Sequence, residues 1–258
     1  MTSIAAIRSF YCTRNFFPGA RRNNDGAFVL NARMRRHARL RLSLVAAALL
    51  SSVALPASAS AKITEMGALA DGVAPGCPAA CQAVTRLTGY QAKVGPDREL
   101  YQAPADGHIV AWTIALGKPT TKDLAVFAQR YGEVPQAAVV VLDSGEKLSR
   151  TVVAKAPLQR LTPYLGETVQ FPLVRSLPIK KGQYLALTVP TWAPALQINL
   201  GNDTSWRSSR ASTGCLDTET QFGLLGKRTS AFFRCLYKGV RLTYSATFIS
   251  NPTPAPTT

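Results

Sequence analysis

Apolar and polar residues alternate along most of this chain with a period of two. The clearest run places Val240, Leu242, Tyr244, Ala246 and Phe248 on one side and Arg241, Thr243, Ser245 and Thr247 on the other. That is the pattern of a strand with one buried face. Leu185, Leu187 and Val189 alternate with Tyr184, Ala186 and Thr188 in the same way. Further strands are predicted over residues 86–92, 108–116, 124–130, 137–142, 148–154, 168–173 and 195–200. Helical periodicity is scarce. Residues 157–164 suit one short turn, limited by Pro163.

Turn-forming clusters separate these runs at short intervals: Ala105-Asp106-Gly107, Leu116-Gly117-Lys118-Pro119, Asp143-Ser144-Gly145 and Lys180-Lys181-Gly182. Asp143-Ser144-Gly145 lies between two apolar runs and predicts a hairpin. Many short strands punctuated by glycine and proline imply an all-β fold, a single antiparallel β-sandwich of jelly-roll type.

One segment breaks the pattern. Arg35, Arg36, Arg39 and Arg41 precede an apolar run from Leu42 to Leu55, followed by Pro56 and Ala57-Ser58-Ala59. A basic head, a short apolar stretch and an A-x-A site form a signal peptide, expected over residues 34–59 with the mature chain starting at Ser60. Ala59-Ser60-Ala61 offers a second cleavage site. The apolar run is shorter than the roughly 20 residues a membrane-spanning helix needs, so no transmembrane anchor is expected after cleavage. No cysteine stands at the cleavage point to accept a lipid. Met34 makes a well-formed start for such a leader, and residues 1–33 read as an annotation extension or polar leader. Arg35-Arg36 leaves the twin-arginine export route open beside the general one.

Export changes the charge and the cysteine count. The full chain carries 30 basic and 14 acidic residues, a formal net charge of +16. Nine of the bases and one of the acids precede Ser60, which leaves 21 against 13, a net +8. These charges are scattered rather than clustered, so nucleic acid is not an expected partner. A net +8 fits an exported protein with no charged partner, and beside it the sharper reading of attraction to an acidic cell wall, anionic polysaccharide or membrane surface. The 199 residues from Ser60 to Thr258 suffice for one domain, expected over residues 60–250. The Pro/Thr sequence of residues 251–258 has nothing to bury and is expected to be disordered.

Cys12 falls in the leader, leaving Cys77, Cys81, Cys215 and Cys235. An even set in an exported chain implies disulfides, and three pairings are possible. Cys77–Cys81 and Cys215–Cys235 are favoured because each closes a local loop. A zinc site would want two closely spaced cysteine knuckles, which Cys215 and Cys235 do not provide. Metal ligation is therefore not expected, and no cofactor motif is present.

Three stretches carry a resemblance: Cys77-x3-Cys81 ahead of Thr88-Gly89-Tyr90-Gln91, then Pro104-Ala105-Asp106-Gly107-His108-Ile109-Val110-Ala111-Trp112, then Ser205-Trp206-Arg207-Ser208-Ser209 leading to Cys215 and Cys235. In these the chain resembles a group of exported actinobacterial proteins to which no activity is assigned. The resemblance spans most of the mature chain. It implies an extracytoplasmic β-sandwich and supplies no chemistry. A jelly roll is also similar to carbohydrate-binding modules in architecture alone.

No catalytic constellation stands out. His108 is the sole histidine after residue 59 and would have to serve any nucleophilic serine or cysteine, yet no G-x-S-x-G pattern nominates one. A glycosidase needs two facing carboxylates. Asp203, beside Trp206, is the first acid to test, against its simpler role as an Asx-turn residue. For ligand binding the candidates are Trp192, Trp206, Arg207 and Arg210. Trp192 lies in the proline-bracketed Pro190-Thr191-Trp192-Ala193-Pro194, expected to be a loop whose indole is either presented to a sugar face or folded back to cap the end of the sandwich. Trp206 precedes Arg207 and Arg210, which read either as an anionic subsite or as a solvated loop following a tryptophan anchored in the core. Trp112, apolar on both sides, is expected in the core. The segment between Cys215 and Cys235, with Phe222, Leu224, Leu225, Phe232 and Phe233, is expected to pack against a sheet edge. The functional expectation is an exported, non-catalytic β-sandwich protein that binds cell-wall or extracellular carbohydrate. Its alternatives are a structural or adhesive envelope protein and a carboxylate-dependent glycan hydrolase.

Overall fold

The alternating runs assemble into antiparallel strands in a computed structural model that describes residues 60–215 and 223–252. The expectations for residues 1–33, the leader at 34–59, Phe222 and the end of the Pro/Thr tail at 253–258 lie outside the described residues. In chain order the strands are β1 (Ile63–Met66), β2 (Val84–Lys93), β3 (Gly107–Ala115), β4 (Gln136–Ser144), β5 (Ser149–Lys155), β6 (Gln159–Arg160) and β7 (Thr168–Ile179). They continue as β8 (Tyr184–Ala193), β9 (Leu196–Gln197), β10 (Ser205–Ser208), β11 (Ser230–Phe232), β12 (Cys235–Lys238), β13 (Arg241–Leu242) and β14 (Tyr244–Ser250). One helix, α1 (Thr121–Tyr131), interrupts them.

The fold is an all-β sandwich with jelly-roll strand order. One sheet runs β1-β14-β3-β7, and the other has β5-β4-β8-β2 at its centre. Along the chain, β1, β3, β7 and β14 go to the first sheet, and β2, β4, β5 and β8 to the second. The second sheet is extended by β11 outside β5 and by β10 and β12 outside β2, while β6 pairs with β4. Ile109, Trp112, Ile114, Tyr244 and Phe248 from the first sheet meet Leu87, Val139, Val141, Leu185 and Val189 from the second in the main core. Trp112 is fully buried there, as its two-sided apolar context predicts.

The larger sheet is covered on its outer face as well. Val140, Leu142, Val152, Ala186 and Tyr90 point away from the main core and are capped by Leu224 and Phe233. Burial on both faces explains why Ala137 to Leu142 is an unbroken apolar run. The segment ahead of Cys235 therefore lies over a sheet face rather than against an edge. Leu224 and Phe233 are buried, whereas Leu225 and Phe232 remain exposed.

Four local expectations are corrected. Residues 124–130 form helix rather than strand, because Leu124, Phe127, Ala128 and Tyr131 recur at i, i+3, i+4 and i+7 behind a capping box. In that box Thr120 Oγ1 accepts from the Asp123 N–H at 3.2 Å, and Asp123 Oδ2 accepts from the Thr120 N–H at 3.0 Å. The alternation over 240–248 is split at Thr243, whose N–H donates to Ala195 O and whose hydroxyl donates to Ala115 O. The preceding pair, β13, joins β9, while β14 joins β3 and β1. Residues 195–200 contribute only the two of β9. Finally, Pro190 to Ala193 continue β8 instead of forming a loop. The β4–β8 ladder ends at Thr188, and β2 is bulged between Thr85 and Leu87 opposite this stretch, so no ladder donor is required at Pro190.

Candidate functional site

Helix α1 and the strands at the β2 end of the larger sheet enclose a cleft of about 300 Å3. Phe127 and Tyr131 from α1, Leu87 from β2, Trp206 from β10, Tyr237 from β12 and Arg210 line it. The β10–β12 ladder sets Trp206 opposite Tyr237, and their rings stack at 4.4 Å with 19° between planes. Gly89 makes room for the indole: a Cβ there would stand 2.7 Å from Trp206 Cε3 and Cζ3. Arg86, at φ 46° in the β2 bulge, holds its guanidinium 5.9 Å from the Tyr131 ring centre. The Arg210 guanidinium stands 5.7 Å from the Tyr237 ring centre, and its Nη1 donates to Cys215 O at 2.6 Å.

Trp206 is almost fully buried, and its indole N–H has no hydrogen-bond acceptor among the described residues. A buried donor left without a partner is uncommon and costs free energy until something accepts from it. The Trp112 indole N–H in the main core likewise lacks an acceptor among the described residues, so the cleft's accessible surface is set by the partly exposed Phe127, Tyr131 and Tyr237. Gly89→Ala is expected to force the Trp206 ring off its seat and cost about 1–3 kcal/mol, the usual range for overpacking. A urea denaturation curve with the wild-type midpoint would contradict this.

The other nominated residues part company. Trp192 is not a platform: it is 1% exposed, its ring lies 5.0 Å from that of Phe127, and its Nε1–H donates to Gly132 O at 2.8 Å. The expectation of an exposed Trp192 fails because β8 continues through it and α1 covers it. Arg207 and Arg210 do not form one subsite. Arg207 follows Trp206 by one residue on a strand and so faces the opposite side of the sheet, where it lines a second, open depression with Lys147, Leu148, Thr213, Arg234 and Leu236.

The pairing of cysteines is as favoured: Cys77 bonds to Cys81 and Cys215 to Cys235. His108 is exposed near the start of β3, between Ile249 and Pro178 of the flanking strands. Asp203 is exposed in the turn before β10. Among the described residues no Asp or Glu lines any of three depressions, the two above and a third formed by β5 and β7. Among the described residues no group of three His, Cys, Asp or Glu side chains is placed to hold a metal ion. Nor is any described helix long and apolar enough to cross a membrane.

Three basic residues escaped the sequence reading: Lys147, Arg150 and Arg234. Arg150 left a trace, since it shares its phase with Leu148 and Val152 and so sits in an apolar row of β5. It is 7% exposed and lies between aromatic rings, its guanidinium 5.6 Å from the Tyr90 ring centre and 5.0 Å from that of Tyr184. Burial pushes the Tyr90 phenol above its ordinary range, against the opposing pull of Arg150 and, more weakly, Arg207.

Compared with protein-family models, with curated proteins and with solved structures, the chain matches none.

Proposed function

We propose that this is an exported, non-catalytic β-sandwich protein that binds extracellular carbohydrate at the cleft between α1, β10 and β12. The observation that carries the reading is the composition of that cleft: the partly exposed rings of Tyr131 and Tyr237 come together from two separate elements, with buried Trp206 stacked behind Tyr237. Aromatic faces that remain partly exposed, as those of Tyr131 and Tyr237 do, pack against sugar C–H groups. The leader and the two disulfides favour an oxidising compartment. Among the described residues, no carboxylate lines the three depressions to supply the acid or base of the hydrolase alternative.

Affinity electrophoresis through gels containing neutral soluble polysaccharides tests this reading. Tyr131 is half-buried at the end of α1, so Tyr131→Ala is expected to leave the fold intact while weakening retention up to about 10-fold, the worth of one aromatic stacking contact. Retention of the variant equal to wild type removes the cleft as the site. No retention of the wild type by any polysaccharide favours the structural envelope role.

A further inference from the structure

On the outer face of the larger sheet, positive charge gathers in one depression whose described lining includes no carboxylate. Lys147 in the β4–β5 turn, Arg207 on β10 and Arg234 just ahead of β12 line an open depression of about 460 Å3, completed by Leu148, Thr213 and Leu236. All its ionisable side chains are cationic. Arg207 is held in place through Nη1, which donates to Phe233 O at 3.2 Å and to Arg234 O at 3.3 Å. The Arg234 guanidinium lies 4.4 Å from the Phe232 ring centre. The turn is tied to the same segment, because Leu148 O accepts from the Phe233 N–H at 2.9 Å. Lys147 and Leu148 reach this position with φ of 49° and 68°, the left-handed region that non-glycine residues seldom occupy.

A buried cation stands behind these three. Arg150 donates from Nη1 to Ser149 O at 2.9 Å and from Nη2 to the Tyr90 hydroxyl at 3.4 Å, and its Nε has no partner. None of these acceptors is an anion. Tyr90 connects the two levels: it is Cα partner to Arg207 across the β2–β10 ladder and packs under Arg150. Burying a guanidinium away from any counter-charge is costly, and aromatic faces return only part of that cost. Gathering three more cations beside it adds repulsion that an incoming anion would relieve. Arginine forks match the paired oxygens of phosphate and carboxylate groups.

We infer that the depression lined by Lys147, Arg207 and Arg234 is an oxyanion cradle that takes a phosphate or carboxylate group borne on an extracellular polymer. Its open mouth and the exposure of Lys147 and Arg234 suit a group on a chain. It lies on the opposite side of β10 and β12 from the aromatic cleft, so it stands whether or not that cleft binds sugar. The register makes this separation concrete, with Trp206 opposite Tyr237 in the cleft and Arg207 opposite Leu236 in the cradle.

A built-in control exists. The third depression, about 470 Å3, also carries three cations, Lys155, Arg175 and Lys227. Titration calorimetry of the full chain with sodium polyphosphate and with sodium polygalacturonate distinguishes the phosphate from the carboxylate source, with dextran as the uncharged reference. Lys147→Gln combined with Arg234→Gln is expected to weaken binding of the preferred polymer about 10-fold and to flatten its salt dependence. Lys155→Gln combined with Arg175→Gln removes the same charge and is expected to change the affinity less than about 2-fold. Arg234→Lys is expected to retain binding, and Tyr131→Ala to leave the binding of polyphosphate, which has no sugar face for the aromatic cleft, unchanged. Equal weakening by the two double substitutions means diffuse attraction and overturns the cradle, as does failure of the wild type to bind either polymer.

Discussion

Replacing Trp192 with alanine is expected to lower unfolding free energy by about 3–5 kcal/mol, the range for deleting a large buried aromatic side chain. The indole is 1% exposed, packs on Phe127 and donates to Gly132 O. Its removal opens a void under α1 and leaves that carbonyl short of its donor. No α1 residue is itself fully buried, so contacts such as this one hold the helix to the sheet. With about 5–15 kcal/mol of total stability typical of a domain, the loss is a large fraction. For a domain of this size it corresponds to a fall of about 10 °C or more in thermal midpoint. Trp192→Phe keeps most of the packing but not the N–H, and is expected to cost less. Calorimetric melting of the three proteins checks the order. A wild-type midpoint for Trp192→Ala would mean that the indole is exposed after all.

Removing the second disulfide is the other large effect expected. The Cys215–Cys235 bond spans a sequence separation of 20, and closing a loop of that length restricts the unfolded chain by about 3 kcal/mol in the entropy model. The Cys77–Cys81 bond, with a separation of 4, is worth about 2 kcal/mol in the same model. Urea unfolding of Cys215→Ala/Cys235→Ala should therefore show the larger loss of the two paired variants. A larger loss for Cys77→Ala/Cys81→Ala would reverse the ranking. The longer loop also carries Leu224 and Phe233, the lid of the outer-face cluster, and Arg234 of the cradle. Opening it is expected to expose the Val140 and Leu142 amides to faster hydrogen exchange while sparing the main core around Trp112.

Much of the strand content was legible because alternation is a local steric property of extended chain. Residues 108–116, 137–142 and 184–189 each fall within or within one residue of an observed strand. The misreading of 124–130 has a specific cause. Leu124, Val126 and Ala128 alternate, but Leu124, Phe127, Ala128 and Tyr131 also keep helical spacing, and the Thr120–Asp123 box decides between them. Trp192 was misread because prolines suggested a loop, whereas a bulge in the partner strand lets Pro190 stay in the sheet.

The candidate sites were legible in fragments. Trp206, Arg207 and Arg210 stand together in sequence, yet alternation sends Trp206 and Arg207 to opposite faces, into different depressions. Tyr131 and Tyr237 join Trp206 from far along the chain. Lys147, Arg150 and Arg234 become neighbours of Arg207 only through the β2–β10 ladder and the docking of Phe233 on Leu148.

Sequence alone determined that this chain builds an all-β fold and that its four cysteines after residue 59 favour two local pairs. Those properties depend on period, composition and short loop closure, all of which act between near neighbours. Only the tertiary structure decided the orders β1-β14-β3-β7 and β5-β4-β8-β2, which face each tryptophan occupies, and where the positive charges gather. An alternating strand shows which of its sides is apolar but not which strand lies beside it. That choice depends on burying many distant side chains at once, as in the pairing of Val84 with Ala193 or Met66 with Ala246.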